Sequence, residues 1–192
     1  MYGNSHILHA VTLSGMTALN ADRVCLLADS VKIGNLTPVS LSSIPRGDIA
    51  VMFILGGIVG GLFPDIDNPT SHTGRLTSPV SNWLGKLSDY MGTERYHHRG
   101  LLHDPFIYIT GLILSFFFLP ALMGFFIGGI SHTLMLDAFN PLGVPWFFGK
   151  RRLKLGNIPA GSKKTRALTW FQVVFFLLAG AILFLQNYTI KF

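Results

Sequence analysis

Residues 97–137, HHRGLLHDPFIYITGLILSFFFLPALMGFFIGGISHTLMLD, decide the reading of this chain. The stretch opens on His97, His98, Arg99, His103 and Asp104, runs without a charge from Phe106 to Ile130, and closes on His132 and Asp137. Pro120 interrupts the apolar run, and proline inside a helix removes a backbone donor and clashes with the preceding turn. A helical hairpin is therefore expected, with its bend at Pro120. His103 and Asp137 each stand 17 residues from Pro120. At 1.5 Å per residue each arm rises about 26 Å, so the hairpin brings His103 and Asp137 level.

Outward from the hairpin lie two further apolar stretches, Ile49 to Phe63 and Leu168 to Leu185, and a weaker one from His6 to Leu19. A helix over 49–63 running opposite to the 106–119 arm delivers Pro64-Asp65-Ile66-Asp67 to the same face. Each stretch falls somewhat short of the ~20 residues of a clean membrane span, which leaves room for partial insertion. Of the 192 residues only 12% are charged and 49% are hydrophobic, and mean hydropathy is +0.47. Soluble domains carry about 25% charge. The expected fold is all-α: an integral membrane bundle of four to five short helices in one domain, residues 1–192, with a metal site at one bilayer face.

The net charge of +6 does not imply direct nucleic-acid binding, because the basic residues are clustered as they are in membrane-protein loops. Eleven of the fifteen Lys and Arg residues fall on the face of the polar clusters, among them Arg75, Lys86, Arg99, Arg151 and Lys154. Arg23, Lys32, Arg46 and Lys191 fall on the other. Positive loops stay cytoplasmic, so the site is expected to face the cytoplasm, with residues 20–48 as the external connection and 146–167 as a basic cytoplasmic loop. That loop is expected to hold the anionic inner leaflet rather than to cover the site. Cys25 is the single cysteine, which excludes an internal disulfide and a CxxC zinc site. The N-terminus lacks the basic n-region and cleavage site of a signal peptide.

Three clusters carry the chemistry. FPDIDNP (63–69) places two carboxylates at a helix end, where charge is costly unless paired or metal-bound; a plain Asp-Asn-Pro turn is the competing reading. HHRGLLHD (97–104) offers imidazole, the commonest metal ligand, or else polar residues snorkelling at a helix start. SHTLMLDAFNP (131–141) adds His132 and Asp137. In a regular helix a five-residue spacing leaves these side chains about 140° apart, so they need not share one metal. One of His6 and His9 is expected to point into the bundle. Each cluster alone is ambiguous; their common depth favours a metal site.

Nearly the whole chain resembles the YdjM family, whose members are described as metal-dependent hydrolases of the inner membrane with LexA binding attached to the name. Its pattern of an early GH or TH, PDIDHP, HRGxTHS, SHxxxD and TPxGVP is matched here by Ser5-His6, FPDIDNP, HRGLLHD, SHTLMLD and Asn140 to Pro145. The resemblance implies metal positions at His6, Asp65, Asp67, His98, His103, His132 and Asp137, with Arg99 as the cationic catalytic neighbour. It implies a divalent metal, Zn foremost and Mn as an alternative, in one to three ions. Asn68, Leu102 and Asp104 depart from the family's His, Thr and Ser. The family's distant similarity to zinc-dependent phospholipases C and P1-type nucleases implies phosphoester hydrolysis, with a lipid head group as the local substrate. It also implies a multi-pass inner-membrane location and a LexA-type protein as a partner beside membrane lipid. Two other readings stand beside it: a metal-stapled protein without turnover that recruits such a partner, and an ion pathway. The nearly uninterrupted apolar arms argue against the pathway.

Overall fold

Five long helices run past one another in the computed structural model, which describes residues 3–20, 30–31, 46–90, 100–148 and 151–189. They are α1 (Gly3–Leu19), α2 (Arg46–Leu62), α5 (Pro105–Phe118), α6 (Met123–Ile130) and α7 (Lys163–Thr189). Two further helices, α3 (His72–Leu76) and α4 (Ser78–Tyr90), lie between α2 and α5 in the chain. Most of the expected external connection, with Cys25, lies outside the described residues, as do His97, His98 and Arg99.

The hairpin forms where Pro120 demands it. Helix α5 stops at Phe118, Leu119 takes φ −150° and ψ 72°, and Pro120 opens a short 3-10 turn to Leu122 that leads into α6. Helix α2 continues into a 3-10 turn, Phe63–Asp67, with Pro64 in its first turn. Helix α6 continues through a π-helical turn, Ser131–Leu136, and a 3-10 turn, Asp137–Phe139. These extensions make the spans longer than the apolar stretches alone suggest. Gly47–Asp67, Pro120–Phe139 and Lys163–Ile182 are 21, 20 and 20 residues long, and a 20-residue helix rises about 30 Å, the thickness of a bilayer's hydrocarbon core.

The centre of the bundle is the α2–α6 seam. Ile49, Phe53, Met123 and Ile127 form its buried core, with Leu13, Leu112 and Phe116 against it. Towards the site the seam narrows to glycine. A Cβ on Gly60 would meet the carbonyl of Phe125, and one on Gly128 would meet the carbonyl of Gly57. Small residues four apart let membrane helices approach to backbone contact, the main source of packing where lipid removes the hydrophobic drive between helices. On the far side Gly57 and Gly61 admit Ser14 and Ala10 of α1.

The outer surface is apolar. Val51, Leu55 and Val59 of α2, Ile113 and Leu114 of α5, and Phe171, Phe175 and Leu178 of α7 all face outward. Three threonine hydroxyls inside the bundle satisfy themselves on their own helices: Thr12 donates to Leu8 O (2.7 Å), Thr133 to Gly129 O (2.8 Å) and Thr169 to Thr165 O (2.9 Å). An apolar exterior, with backbone groups satisfied inside helices, is what a hydrocarbon solvent requires. At the start of the expected basic loop stands an antiparallel hairpin that the sequence analysis did not anticipate, β1 (Val144–Trp146) with β2 (Arg151–Leu153), pairing Pro145 with Arg152.

Candidate metal centre

The chain ends of four helices meet at one pole of the bundle: the start of α1, the end of α2, the start of α5 and the end of α6. The 3-10 turn after α2 is closed by Asn68, whose side-chain oxygen accepts from the backbone N–H (3.0 Å) and hydroxyl (2.8 Å) of Thr70, while Ser71 Oγ donates to Asp65 O at 2.7 Å. Asn68 thus serves the turn that presents the two aspartates. Gly100 permits close approach here, because a Cβ on it would press on Asp67 Oδ2 and Ser88 Oγ.

Asp67 is fully engaged. Its Oδ2 accepts the Leu102 N–H at 2.8 Å, and its Oδ1 lies 3.2 Å from His103 Nδ1. A carboxylate only accepts, so His103 Nδ1 carries the proton in the neutral ring and Nε2 carries the lone pair. That Nε2 faces Asp137 Oδ2 at 3.4 Å and Asp65 Oδ1 at 3.8 Å. His132 repeats the arrangement with a different anchor. Its Nδ1 donates to Gly61 O at 2.6 Å, and its Nε2, which makes no hydrogen bond, faces Asp137 Oδ2 at 3.2 Å and Asp65 Oδ1 at 3.8 Å. The His6 ring stacks on His132 with centroids 3.8 Å apart.

Two overlapping ligand groups result, Asp65 with His103 and His132, and His6 with His132 and Asp137. Within each group the ligand atoms lie inside 4.8 Å of one another. Lone pairs and carboxylate oxygens that converge in a buried place are stable only around positive charge, whether a cation or protons on the rings. Imidazole held by a carboxylate or a backbone carbonyl through its second nitrogen is the arrangement that orients a metal ligand. His103 and His132 are buried and His6 is half-buried, whereas the Asp65 and Asp137 side chains keep 22% and 12% of their surface open. The donor set therefore fits a divalent ion, with access from one side.

The expected separation of His132 and Asp137 does not occur. The Asp137 N–H reaches back to His132 O, five residues away, and this wider π turn swings both side chains to the same side of the helix. The equal-arm argument holds, with His103 and Asp137 facing each other across the hairpin. His6 enters the cluster, and His9 turns instead towards α7, its ring edge-on to Phe176. His98 and Arg99 lie outside the described residues.

The site also uses residues that the sequence analysis did not single out. Gly61 contributes its carbonyl, Ser88 Oγ accepts the Leu101 N–H at 3.0 Å, and the buried Tyr108 hydroxyl donates to Leu102 O at 2.8 Å. No composition or spacing signal marks a backbone carbonyl or a lone serine; only the Gly-rich end of α2 hints at close approach. Leu102 serves through its backbone alone, so a leucine there leaves these bonds intact. Asp104 caps α5 by accepting the Phe106 N–H at 3.0 Å, and its second oxygen accepts the Phe148 N–H of the β-hairpin, a bond to a second segment that a serine with one oxygen is less suited to share.

The sequence model of the family described as "YdjM inner membrane protein" matches residues 24–190. This span holds Asp65, Asp67, His103, His132 and Asp137, while His6 precedes it. The chain is 30% identical over 95 residues to "Uncharacterized protein ORF4" of Methanothermobacter thermautotrophicus, covering 47% of this chain and 38% of that protein. No solved structure matches.

Proposed function

The chain belongs to the YdjM family of inner membrane proteins, and from that premise we propose that it is a multi-pass, membrane-bound, metal-dependent hydrolase of phosphoesters, acting on a lipid head group from the cytoplasmic side. The observation that carries the reading is the convergence of the His103 and His132 Nε2 lone pairs on Asp65 and Asp137, with each ring locked by its other nitrogen. The orientation follows the excess of positive residues at this pole.

In this proposal Asp65, His103, His132, Asp137 and His6 hold the metal, Zn foremost and Mn as the alternative. Asp67 acts differently from its neighbours: both its oxygens are occupied by Leu102 and His103, so it fixes the imidazole and strengthens it as a donor. A bound divalent ion lowers the pKa of its water to near neutrality and offsets the charge of the phosphoester. The partly open Asp65 and Asp137 admit water and substrate, whereas a structural metal site is closed. Arg99, next to His98 in the chain, supplies a planar fork suited to a phosphate oxygen.

The test is metal content by mass spectrometry of the detergent-purified protein, wild type against His103→Ala, followed by phosphodiester and phosphomonoester assays. Metal in wild type, its loss in the variant and turnover that follows the metal are expected. A wild-type protein that stays metal-free after reconstitution overturns the reading. Metal without turnover would leave the non-catalytic alternative, in which the ion staples the helices and a LexA-type protein is recruited.

A further inference from the structure

Helix α4 turns several large apolar side chains away from the bundle. Its inward positions include Ser81 and Ser88, both buried, and Ser88 touches the Gly100–Leu101 backbone beside Asp67. Its exposed positions include Val80, Trp83 and Tyr90, on one helical face by their spacing and interspersed with Asn82 and Lys86, with Leu76 in the turn before. Leu76, Trp83 and Tyr90 are 75%, 61% and 90% exposed. A face of aromatic and apolar side chains with a lysine among them is expected in the interfacial layer of a membrane.

A second outward patch stands at the same pole. At the tip of the β-hairpin Phe147 and Phe148 adopt φ of 59° and 57°, a left-handed conformation that bulky residues rarely take. They are held there by the Phe148 N–H on Asp104 and by the Phe106 ring, 4.6 Å from Phe147 and 5.7 Å from Phe148. Both nevertheless remain 48% and 43% exposed. Beside them Arg151, Arg152, Lys154 and Leu155 are exposed. Residues 146–166 contain seven basic residues and no acid, and α3 and α4 carry Arg75 and Lys86 against the single acid Asp89.

One patch adjoins the cluster through Ser88 and Asp67, the other through Asp104, the neighbour of His103. Aromatic and apolar side chains interspersed with Lys and Arg at the end of an apolar bundle mark the interfacial layer of a membrane. An excess of positive charge at such a layer selects anionic lipid. The geometry points to a collar, formed by α4 and the β1–β2 hairpin, that lies in the head-group layer, binds anionic phospholipid and sets the metal cluster at head-group depth. This deepens the proposed function by naming anionic phospholipid as the class presented to the site, and it rests on the membrane placement of that reading.

The test uses the full chain in nanodiscs of phosphatidylcholine alone or mixed with phosphatidylglycerol, and it reads lipid contact rather than turnover. In a W146F/W170F background, which leaves Trp83, lipid brominated near the head-group end of its acyl chains is expected to quench Trp83 strongly, and lipid brominated near the chain ends only weakly. In the Arg151→Gln/Lys154→Gln double variant, the excess of phosphatidylglycerol over phosphatidylcholine retained through purification is expected to fall several-fold while metal content stays at the wild-type value. If the double variant loses metal, Arg151→Gln alone replaces it, with a smaller drop in the same direction expected. Trp83 left unquenched puts α4 in water or under a protein and overturns the collar. Phosphatidylglycerol retention indifferent to the charge substitutions overturns its anionic specificity. A failure of phosphoester hydrolysis in detergent leaves both readouts standing, so the two proposals fail separately.

Discussion

Helices α2 and α6 meet twice, by opposite means. Along the seam at Gly56, Gly60, Gly124 and Gly128 they touch because side chains are missing. At the pole, past Gly61, they meet through Asp65, His132 and Asp137, which carry charge and lone pairs into a buried place. The seam fails if an atom is added, and the pole fails if a charge or donor is removed. The two are linked at Gly61, whose carbonyl orients His132 and whose missing Cβ admits Ala10 of α1, the helix that carries His6. The backbone approach achieved by the seam thus sets the positions of the ligands at the pole.

The harshest way to break this comparison is Gly60→Leu. Its side chain would collide with the Phe125 backbone, which cannot yield as a flexible side chain could. A loss of about 3 kcal/mol or more is expected from overpacking, read as unfolding at lower denaturant in detergent, with metal lost along with the fold. Retention of both fold and metal would show that the seam does not set the pole.

A deletion separates the two regions more finely. Removing Leu134 takes one residue from the π turn and restores α-helical spacing, which leaves His132 and Asp137 four residues and about 40° apart, still on one side of the helix. Metal content, the α2–α6 seam and the helix content by circular dichroism are all expected to stay close to wild type. Loss of metal in a deletion that keeps its fold would mean that the π turn itself, and not the shared face, is what joins the pair.

A smaller effect than that of Gly60→Leu is expected of Asp67→Asn, which keeps an acceptor towards Leu102 but weakens the grip on His103. Substitutions of such orienting groups cost about 10–100-fold in metal affinity, measurable by competition with a chelator, with the unfolding midpoint little changed. Loss as complete as in His103→Ala would instead make Asp67 a direct ligand.

The smallest effect belongs to Leu102→Thr. Leu102 serves the site through its N–H to Asp67 and its carbonyl to Tyr108, so stability is expected to change by no more than about 0.5 kcal/mol and metal content not at all. A gain in metal affinity would show that the threonine hydroxyl of the family pattern takes part in the site.

Much of this was legible in the sequence, and the reasons differ from part to part. The hairpin was legible because Pro120 is a local stop and the two arms are equal in length. The meeting of the clusters at one pole followed from helix direction alone, since a rise of 1.5 Å per residue carries His103 and Asp137 to the same depth whatever their neighbours do. The β-hairpin was not legible: Val144–Trp146 and Arg151–Leu153 are too short to show a period of two, and Phe147 and Phe148 give no sign of a turn because residues of their kind rarely take positive φ.

By itself, then, the sequence determined an all-helical membrane bundle and the residue types of a metal site at one end, because hydropathy, proline and helix rise are local properties of a chain in lipid. Only the tertiary structure decided how those residues divide the work. The π turn that pairs His132 with Asp137, the carbonyl of Gly61 behind one imidazole and the carboxylate of Asp67 behind the other depend on backbones from different helices coming into contact. Such contact is governed by where side chains are absent, and the roles it assigns cannot be read from any one segment.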